Sequence, residues 1–384
     1  MRALVTGGAG FIGSHIVDLL LARGYRVRVL DSLHPRVHPH GRPRYVPETV
    51  ELVLGDVRDR AALGAALDGV DVVFHLAAYQ DYMPDFSTFF DVNTVSTALL
   101  YELIVERRLP VRTVVLASSQ AVYGEGPYRC AAHGVLWPGP RPAAQLAGGD
   151  WEHRCPQCSD VVEALPITEE RVQPHTAYGI SKYALELAAL ALGAKYDLPT
   201  VCLRYSITLG PRNAFHNAYS GVCRTFTLRA LHGQPPLVYE DGLQRRDYVY
   251  VADVAAASVL VAEHTEANGQ VYNVGGARAW TVLDVAQAVL EAAGRTDLAP
   301  LVAGDYRYGD TRHTVSDSSK LRALGWRPTL GLAEMVAAYV GWARAQPDLA
   351  ATYEAAEARM RAQQVLRRAA AAERAIPAHD AAGA

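Results

Sequence analysis

The sequence predicts an open, doubly wound, mostly parallel α/β sheet, with a smaller C-terminal α/β domain and a ribbon inserted at residues 125–166. Three observations predict it. Short apolar runs alternate with helix-period segments through residues 1–205, as a parallel sheet with crossover helices requires. The first run leads through a glycine-rich turn into the first helix. Two pairs of cysteine or histidine residues, each pair spaced by two residues, interrupt the alternation between Cys130 and Cys158.

Composition bounds the rest. At 384 residues, with 50% hydrophobic and 20% charged side chains, the chain can bury one large core or two ordinary ones. Its 37 basic and 40 acidic residues leave a formal charge of −3, which gives nucleic acid or an anionic membrane no general attraction. No apolar run reaches the roughly eighteen residues of a membrane span, and no basic leader with an apolar stretch precedes the first strand, so the expectation is a cytoplasmic protein with no membrane segment.

Residues 1–31 organise the chain. The strand Ala3-Leu4-Val5 runs into Thr6-Gly7-Gly8-Ala9-Gly10-Phe11-Ile12-Gly13 and then into a helix with Ile12, Ile16, Leu19 and Leu20 at helical spacing. Gly7 permits the tight turn, Gly10 lets the backbone approach a pyrophosphate, and Gly13 allows the helix to pack closely on the strand; the free amides at the helix start, around Phe11 and Ile12, then face the anion. A second strand over residues 25–30 delivers Asp31 to its carboxyl end, where a carboxylate can accept from both hydroxyls of a dinucleotide's ribose. A negative charge there repels a 2′-phosphate and favours NAD over NADP; the nearby Arg36 pulls the other way.

The loop His34-Pro-Arg-Val-His38-Pro-His40 invites a metal reading, but prolines interrupt the histidines and no acid or cysteine stands near, so a solvated loop fits better. A third strand over residues 50–54 ends at Gly55-Asp56-Val57, where Asp56 can meet the adenine amino group. After a helix over residues 58–67 and a buried strand over 70–75, Leu76, Ala77 and Ala78 let a cofactor lie against the sheet edge. The following Tyr79-Gln80-Asp81-Tyr82-Met83-Pro84 lies just beyond a strand's carboxyl end, where open α/β sheets bind ligands, and forms a candidate substrate loop with Tyr79 and Gln80 as contacts. A long helix is expected over residues 85–108, with Phe89, Val92, Val95, Leu99 and Leu103 on one side and Asn93 assigned to the cofactor site.

The strand over residues 111–117 ends in Ser118-Ser119-Gln120-Ala121-Val122-Tyr123-Gly124. Tyr178-Gly-Ile-Ser-Lys182 opens a later helix and puts Tyr178 and Lys182 on one face at i and i+4. An ammonium near the phenol, with a cationic nicotinamide, favours the phenolate and lowers a pKa ordinarily near ten. The Ser119 hydroxyl can bond the same substrate oxygen.

In this order the motifs resemble the extended short-chain dehydrogenases/reductases, and among them the NAD-dependent nucleotide-sugar epimerases and dehydratases, over residues 1–340. The resemblance implies that Ser119, Tyr178 and Lys182 are catalytic. It also implies a Rossmann NAD domain over residues 1–205 with a return strand near 247–251, a mainly substrate-binding domain over 206–345, and a homodimer formed through the helices near 85–108 and 177–194. Leu203-Arg-Tyr205, Gly210-Pro-Arg212, Gln244-Arg-Arg246-Asp247-Tyr248, Asn273-Val-Gly275, Arg307-Tyr-Gly-Asp310 and Leu324-Gly-Trp-Arg-Pro328 extend the likeness. In relatives, the counterparts of Arg246, Arg307 and Asp310 hold the diphosphate and ribose of a nucleotide sugar, a task that suits an arginine fork.

Two departures bear on the reaction. Gln120-Ala121 stands where 4,6-dehydratases carry Asp-Glu, and an amide and a methyl cannot act as acid and base, so dehydration is disfavoured and Gln120 is left as a substrate contact. Ser206-Ile207 stands where many epimerases read Phe-Asn, so the sugar is expected to sit differently, with Ser206 beside it. The implied reaction is 4-epimerisation through a 4-keto sugar, with hydride returned to the opposite face. Ketoreductases, dehydratases and decarboxylases share the first oxidation and stay open, as does the identity of the sugar.

Cys130-Ala-Ala-His133 and, twenty-one residues later, Cys155-Pro-Gln-Cys158 present four ligands with the spacing of a closed tetrahedral zinc ribbon, a structural rather than catalytic site. A disulfide is the alternative and suits a secreted chain. Residues 125–163 carry three arginines, five acids and no lysine, which leaves no basic surface for nucleic acid. The strand end Tyr123-Gly-Glu-Gly126 followed by such an insert is most similar to the rhamnose 4-epimerase-like branch of the family. Cys202 and Cys223 read as packed thiols. Residues 346–384 read as an Ala-, Arg- and Glu-rich helix with a frayed end, either a partner helix or, as expected here, a solvated tail.

Overall fold

The computed structural model describes residues 1–81, 83–214, 221–346, 352–369 and 374–375. Tyr82 of the candidate substrate loop and the remaining parts of the 346–384 tail lie outside the described residues. Seven parallel strands form the main sheet in the order Val271–Val274, Thr200–Tyr205, Thr113–Ser119, Val72–His75, Arg2–Thr6, Arg26–Asp31, Glu51–Leu54. The order reverses between Arg2–Thr6 and Val72–His75, and a crevice opens beyond the carboxyl ends of strands at such a switch point.

The apolar runs bury both faces of this sheet. Ala3, Val5, Val29 and Leu203 pack with Ile16, Leu20, Val254 and Ala257 on one side; Leu4, Val73, Val114 and Cys202 pack with Leu63, Leu100, Leu185 and Ala189 on the other. At the switch point the core turns polar: Thr6 Oγ1 lies 2.9 Å from His75 Nδ1, and Ser96 Oγ lies 3.3 Å from His75 Nε2. Burial, and behind it the Lys182 charge, holds His75 down to about 3, so the ring is neutral.

The return strand is not the one expected near 247–251. Val271–Val274 closes the main sheet against Thr200–Tyr205, whereas Arg245–Tyr250 lies in a separate three-stranded sheet with Ile207–Leu209 and Ala279–Thr281. Both segments read as half-apolar strands in sequence. What separates them is Asp247, 1% exposed, whose carboxylate accepts from Ser206 Oγ at 2.8 Å and the Gly276 amide at 2.5 Å and so holds its strand beside the chain leaving the main sheet. Around Arg245–Tyr250, the helices Gly221–Leu231, Val282–Ala293 and Leu332–Arg344 share a second core centred on Tyr248, Val285 and Met335.

Three further differences bear on the site. The helix expected over 85–108 carries a π-helical turn, Asp91–Val95, between Phe86–Phe90 and Ser96–Glu106, and such bulges are frequent at functional sites. His38 is not solvated: it is 7% exposed, and burial lowers its pKa, partly offset by Asp31. Nor is the described tail solvated throughout. Thr352–Ala362 carries Met360, 8% exposed, and Leu366–Arg368 pairs antiparallel with Asp305–Arg307, while Arg361 and Arg368 both bond the buried Asp305. An average composition hides these few anchoring residues. No described helix is long and apolar enough to cross a membrane.

Candidate active site and inserted metal-ligand cluster

A cleft of about 440 Å³ opens between the main sheet and the C-terminal sheets. Of the predicted residues it gathers Phe11, Ile12, Gln80, Ser119, Gln120, Tyr178, Ser206, Arg246, Arg307 and Asp310. Ser119 arrives at the end of Thr113–Ser119, where its Oγ accepts from the Ala121 amide at 3.1 Å and caps the turn Gln120–Tyr123. Tyr178 and Lys182 stand on the first turns of Ala177–Lys195, a helix capped by Thr176, whose hydroxyl accepts from the Gly179 amide at 3.0 Å. That helix can approach Ser119 because Gly179 carries no side chain: a Cβ there would stand 2.5 Å from the Ala121 carbonyl oxygen.

Lys182 is 3% exposed and donates to the Ala117 carbonyl at 2.8 Å, with its Nζ 6.0 Å from the centre of the Tyr178 ring. Burial lowers its pKa to about 8 against the opposing pull of Glu186. Glu186 is a residue that the sequence reading missed. One turn beyond Lys182, it is buried, accepts from Ser118 Oγ, and forms a fork with Arg204 at 2.9 and 2.7 Å. Its signal was available, an acid at i+4 from the lysine on an apolar helix with an arginine in the next strand. Asn273 is likewise structural: it accepts from the Tyr123 hydroxyl at 2.5 Å and donates to the Ile167 and Asp317 carbonyls.

The residues expected to hold a cofactor lie at and around the glycine turn. Gly7 takes a φ of +68°, and a Cβ on it would stand 2.9 Å from the Ala77 nitrogen, while a Cβ on Gly13 would fall on the Gly7 carbonyl oxygen. The cradle beside Leu76, Ala77 and Ala78 is thus kept open by missing side chains, as close approach of a pyrophosphate needs. Asp31, 8% exposed, braces this turn by accepting from the Ala9 and Leu33 amides at 3.0 and 2.9 Å. Asp56 is held by Arg58 at 2.7 Å, which with its backbone bond draws the carboxyl below its usual range, and Val57 is buried beside it. Arg36 is committed to Asp81 and the Tyr79 hydroxyl.

Three assignments change role. Tyr79 does not line the cleft: its ring packs on Phe89 at 5.1 Å and its hydroxyl joins Arg36, Asp81 and Asp85. Asn93, 1% exposed, lies buried between the strand-end loop and the helix Ala177–Lys195. It accepts from the Tyr79 amide at 2.8 Å and donates to the Tyr79 carbonyl and Ser181 Oγ, which ties the strand-end loop to the catalytic helix. Ser206 lines the cleft, but its hydroxyl already donates to Asp247. The Arg246 guanidinium donates to the Thr311 and Arg312 carbonyls, and Arg307 pairs with Asp310 at 2.7 Å. Gln120 Oε1 is buried with no hydrogen-bond partner among the described residues.

The insert folds as a three-stranded antiparallel sheet, Gly134–Leu136, Tyr128–Cys130 and Glu163–Ala164. At one end the ligand atoms of Cys130, His133, Cys155 and Cys158 lie within 4.8 Å of one another. Four ligands at the bond lengths of a tetrahedral zinc centre stand about 3.3–3.8 Å apart, so the set fits a closed site. The backbone N–H of Cys158 and then that of Gln157 draw the Cys155 thiol down to about 6, which favours the thiolate that a metal binds. All five cysteines are free of disulfides, and Cys202 and Cys223 are buried as packed thiols.

The chain matches the model of the NAD dependent epimerase/dehydratase family over residues 3–135 and 156–275. It is 33% identical to the dTDP-L-rhamnose 4-epimerase of Burkholderia thailandensis over 356 residues, which covers 90% of this chain and 96% of that one. Among solved structures it resembles the UDP-glucose 4-epimerase of Thermus thermophilus in complex with NAD, with a TM-score of 0.69 and 34% identity, covering 90% of this chain and 99% of the other. It also resembles the UDP-glucose 4-epimerase of Thermotoga maritima with UDP-glucose, with a TM-score of 0.73 and 29% identity at the same coverage.

Proposed function

The chain belongs to the NAD-dependent epimerase/dehydratase family, and on that premise we propose that it is a nucleotide-sugar 4-epimerase with NAD in the glycine cradle and zinc in the inserted ribbon. The observation that carries the reading is that Ser119 and Tyr178 line one cleft with Arg246, Arg307 and Asp310, while buried Lys182 stands one helical turn from Tyr178 with its Nζ 6.0 Å from the ring centre. When bound, NAD supplies a hydride acceptor and donor for C4 of the sugar.

The protein's own groups do the rest. Tyr178 takes the proton from the sugar 4-hydroxyl and later returns it, while Ser119 holds that oxygen. Lys182, charged below about pH 8, favours the Tyr178 phenolate and is held in place by the Ala117 carbonyl. The diphosphate is held on the Arg246 and Arg307 side, so the 4-keto sugar can turn and present its opposite face. Gln120 lines the cleft with an amide where an acid–base pair would be needed for dehydration, which favours epimerisation over that sister reaction.

The deciding experiment incubates the purified enzyme with a panel of nucleotide sugars in deuterated water without added cofactor. A 4-epimer free of solvent deuterium at C3 and C5 is expected; deuterium at C5, loss of water, or a need for stoichiometric NAD sinks the proposal. For the ribbon, the expectation is about one zinc per chain, and content below about half an equivalent, with stability indifferent to Cys155→Ser, overturns it. We also propose a homodimer, supported by exposed Val95, Ile180 and Leu187 on the helices expected to pair, with sedimentation as a monomer at micromolar concentration counting against it.

A further inference from the structure

We propose that the inserted ribbon braces the rear wall of the nucleotide-sugar cleft from behind and that Arg141 is the positioning residue through which it acts; this rests on the epimerase reading above. Arg141 lies in the ribbon between the two ligand pairs and is 2% exposed. Its guanidinium donates to both Glu240 carboxylate oxygens at 2.9 and 2.8 Å, to the Asp310 carbonyl at 2.9 Å, and to the Trp151 carbonyl at 2.8 Å within the ribbon. Glu240 and Asp310 both line the cleft and come from different segments of the C-terminal domain. One ribbon side chain therefore sets the spacing of two stretches of cleft wall.

A second arginine locks the same junction from the opposite side. Arg312, 0% exposed, reaches Glu152 of the ribbon at 2.5 and 3.0 Å, Asp241 at 2.7 and 2.8 Å, and Glu240 at 3.1 Å, and its backbone amide donates to Glu125 at 2.8 Å. Charges this deep persist only when paired and hydrogen-bonded, so ribbon and domain cannot part without stranding several of them. The backbone reports the same constraint. Glu240 has a φ of +54°, a left-handed conformation that a residue with a side chain keeps only when its surroundings hold it there. Those surroundings are Arg141 and Arg312 on the carboxylate and the Asp305 carbonyl, which accepts from the Glu240 amide at 2.7 Å.

An epimerase of the proposed kind must let the sugar turn while the nucleotide stays fixed, so a rigid wall at Glu240 and Asp310 serves binding more than chemistry. Loss of its brace weakens the hold on substrate and transition state alike, which appears in KM rather than in kcat.

The test uses full-length Arg141→Met and Arg141→Lys enzymes. Calorimetric titration with UDP and with dTDP is combined with steady-state kinetics and release of bound NAD by denaturation. In Arg141→Met, the diphosphate Kd and the sugar KM should rise about tenfold, with kcat changed far less, NAD content retained, and Arg141→Lys recovering part of the loss. Unchanged Kd, a fall in kcat with Kd intact, or parallel loss of NAD and diphosphate binding overturns the proposal. If Arg141→Met does not accumulate as folded protein, Arg141→Lys, which keeps the charge but loses the fork, carries the comparison with about a threefold rise expected. Wild-type enzyme that binds neither diphosphate defeats both readings, whereas wild type and variants that bind equally well defeat this one alone.

Discussion

On the sheet side of the cleft, Ser119 and Tyr178 are carried by a strand end and a helix start over a mainly apolar core, with the Glu186–Arg204 pair as its buried charge, whereas on the ribbon side the wall is held by a network of buried charges. Ser119 and Tyr178 reach the cleft through a serine-capped turn and a threonine-capped helix start, each governed by residues within a few positions in sequence. The rear wall depends on Arg141 meeting Glu240 and Arg312 meeting Glu152, residues 99 and 160 positions apart. Local motifs place chemistry cheaply, and long-range ion pairs fix a gap whose two sides come from separate parts of the chain. Removing a group should therefore have different consequences on the two sides, activity on one and stability or affinity on the other.

The largest expected contrast comes from Tyr178→Phe, which should lower kcat by about 10³-fold or more while bound NAD and unfolding midpoint stay near wild type; full activity in this variant would remove the tyrosine from the mechanism. On the ribbon side, Arg312→Met leaves Glu240 with Arg141 alone and takes the guanidinium from Glu152 and Asp241, for a loss of about 3 kcal/mol in denaturant unfolding. A loss below about 1 kcal/mol would mean that the network relaxes into solvent.

Gly13→Ala drives a methyl onto the Gly7 carbonyl oxygen, and a cost of about 1–3 kcal/mol together with a fall in co-purifying NAD is expected. Unaltered NAD content would show that the cradle has room to give. Thr176→Ala removes the cap of the catalytic helix and should cost about 1 kcal/mol, read by thermal unfolding, with a smaller effect on kcat than any change at Tyr178 itself.

The smallest expected effect is one of pH. Burial opposes ionisation of Glu152, but the bond from His313 and then those from Arg312 outweigh it and draw its carboxyl down to about 2. Its folded pKa lies below the unfolded value, so its contribution is present above about pH 4.5 and drains away as pH falls toward 2. In Glu152→Gln the acid limb of the stability profile should flatten over that window, and an unchanged limb would assign the acid sensitivity elsewhere.

Features encoded at short range are legible in the sequence alone. The strand, glycine turn and helix of residues 1–31, the Tyr178 and Lys182 pair at one helical turn, and the two doubly spaced ligand pairs are readable because backbone geometry ties neighbours in sequence to neighbours in space. Only the tertiary structure decided which of two half-apolar strands closes the main sheet, because Val271–Val274 and Arg245–Tyr250 differ less in pattern than in what the buried Asp247 and Asn273 find to bond. It also decided that Tyr79 packs behind the cleft on Phe89 and Asn93, that Glu186 anchors the helix Ala177–Lys195 to Arg204, and that the tail packs back on Asp305. Each of these outcomes turns on a buried polar group finding a partner far along the chain, and desolvation makes such pairing compulsory without leaving any period or spacing in the sequence to announce it.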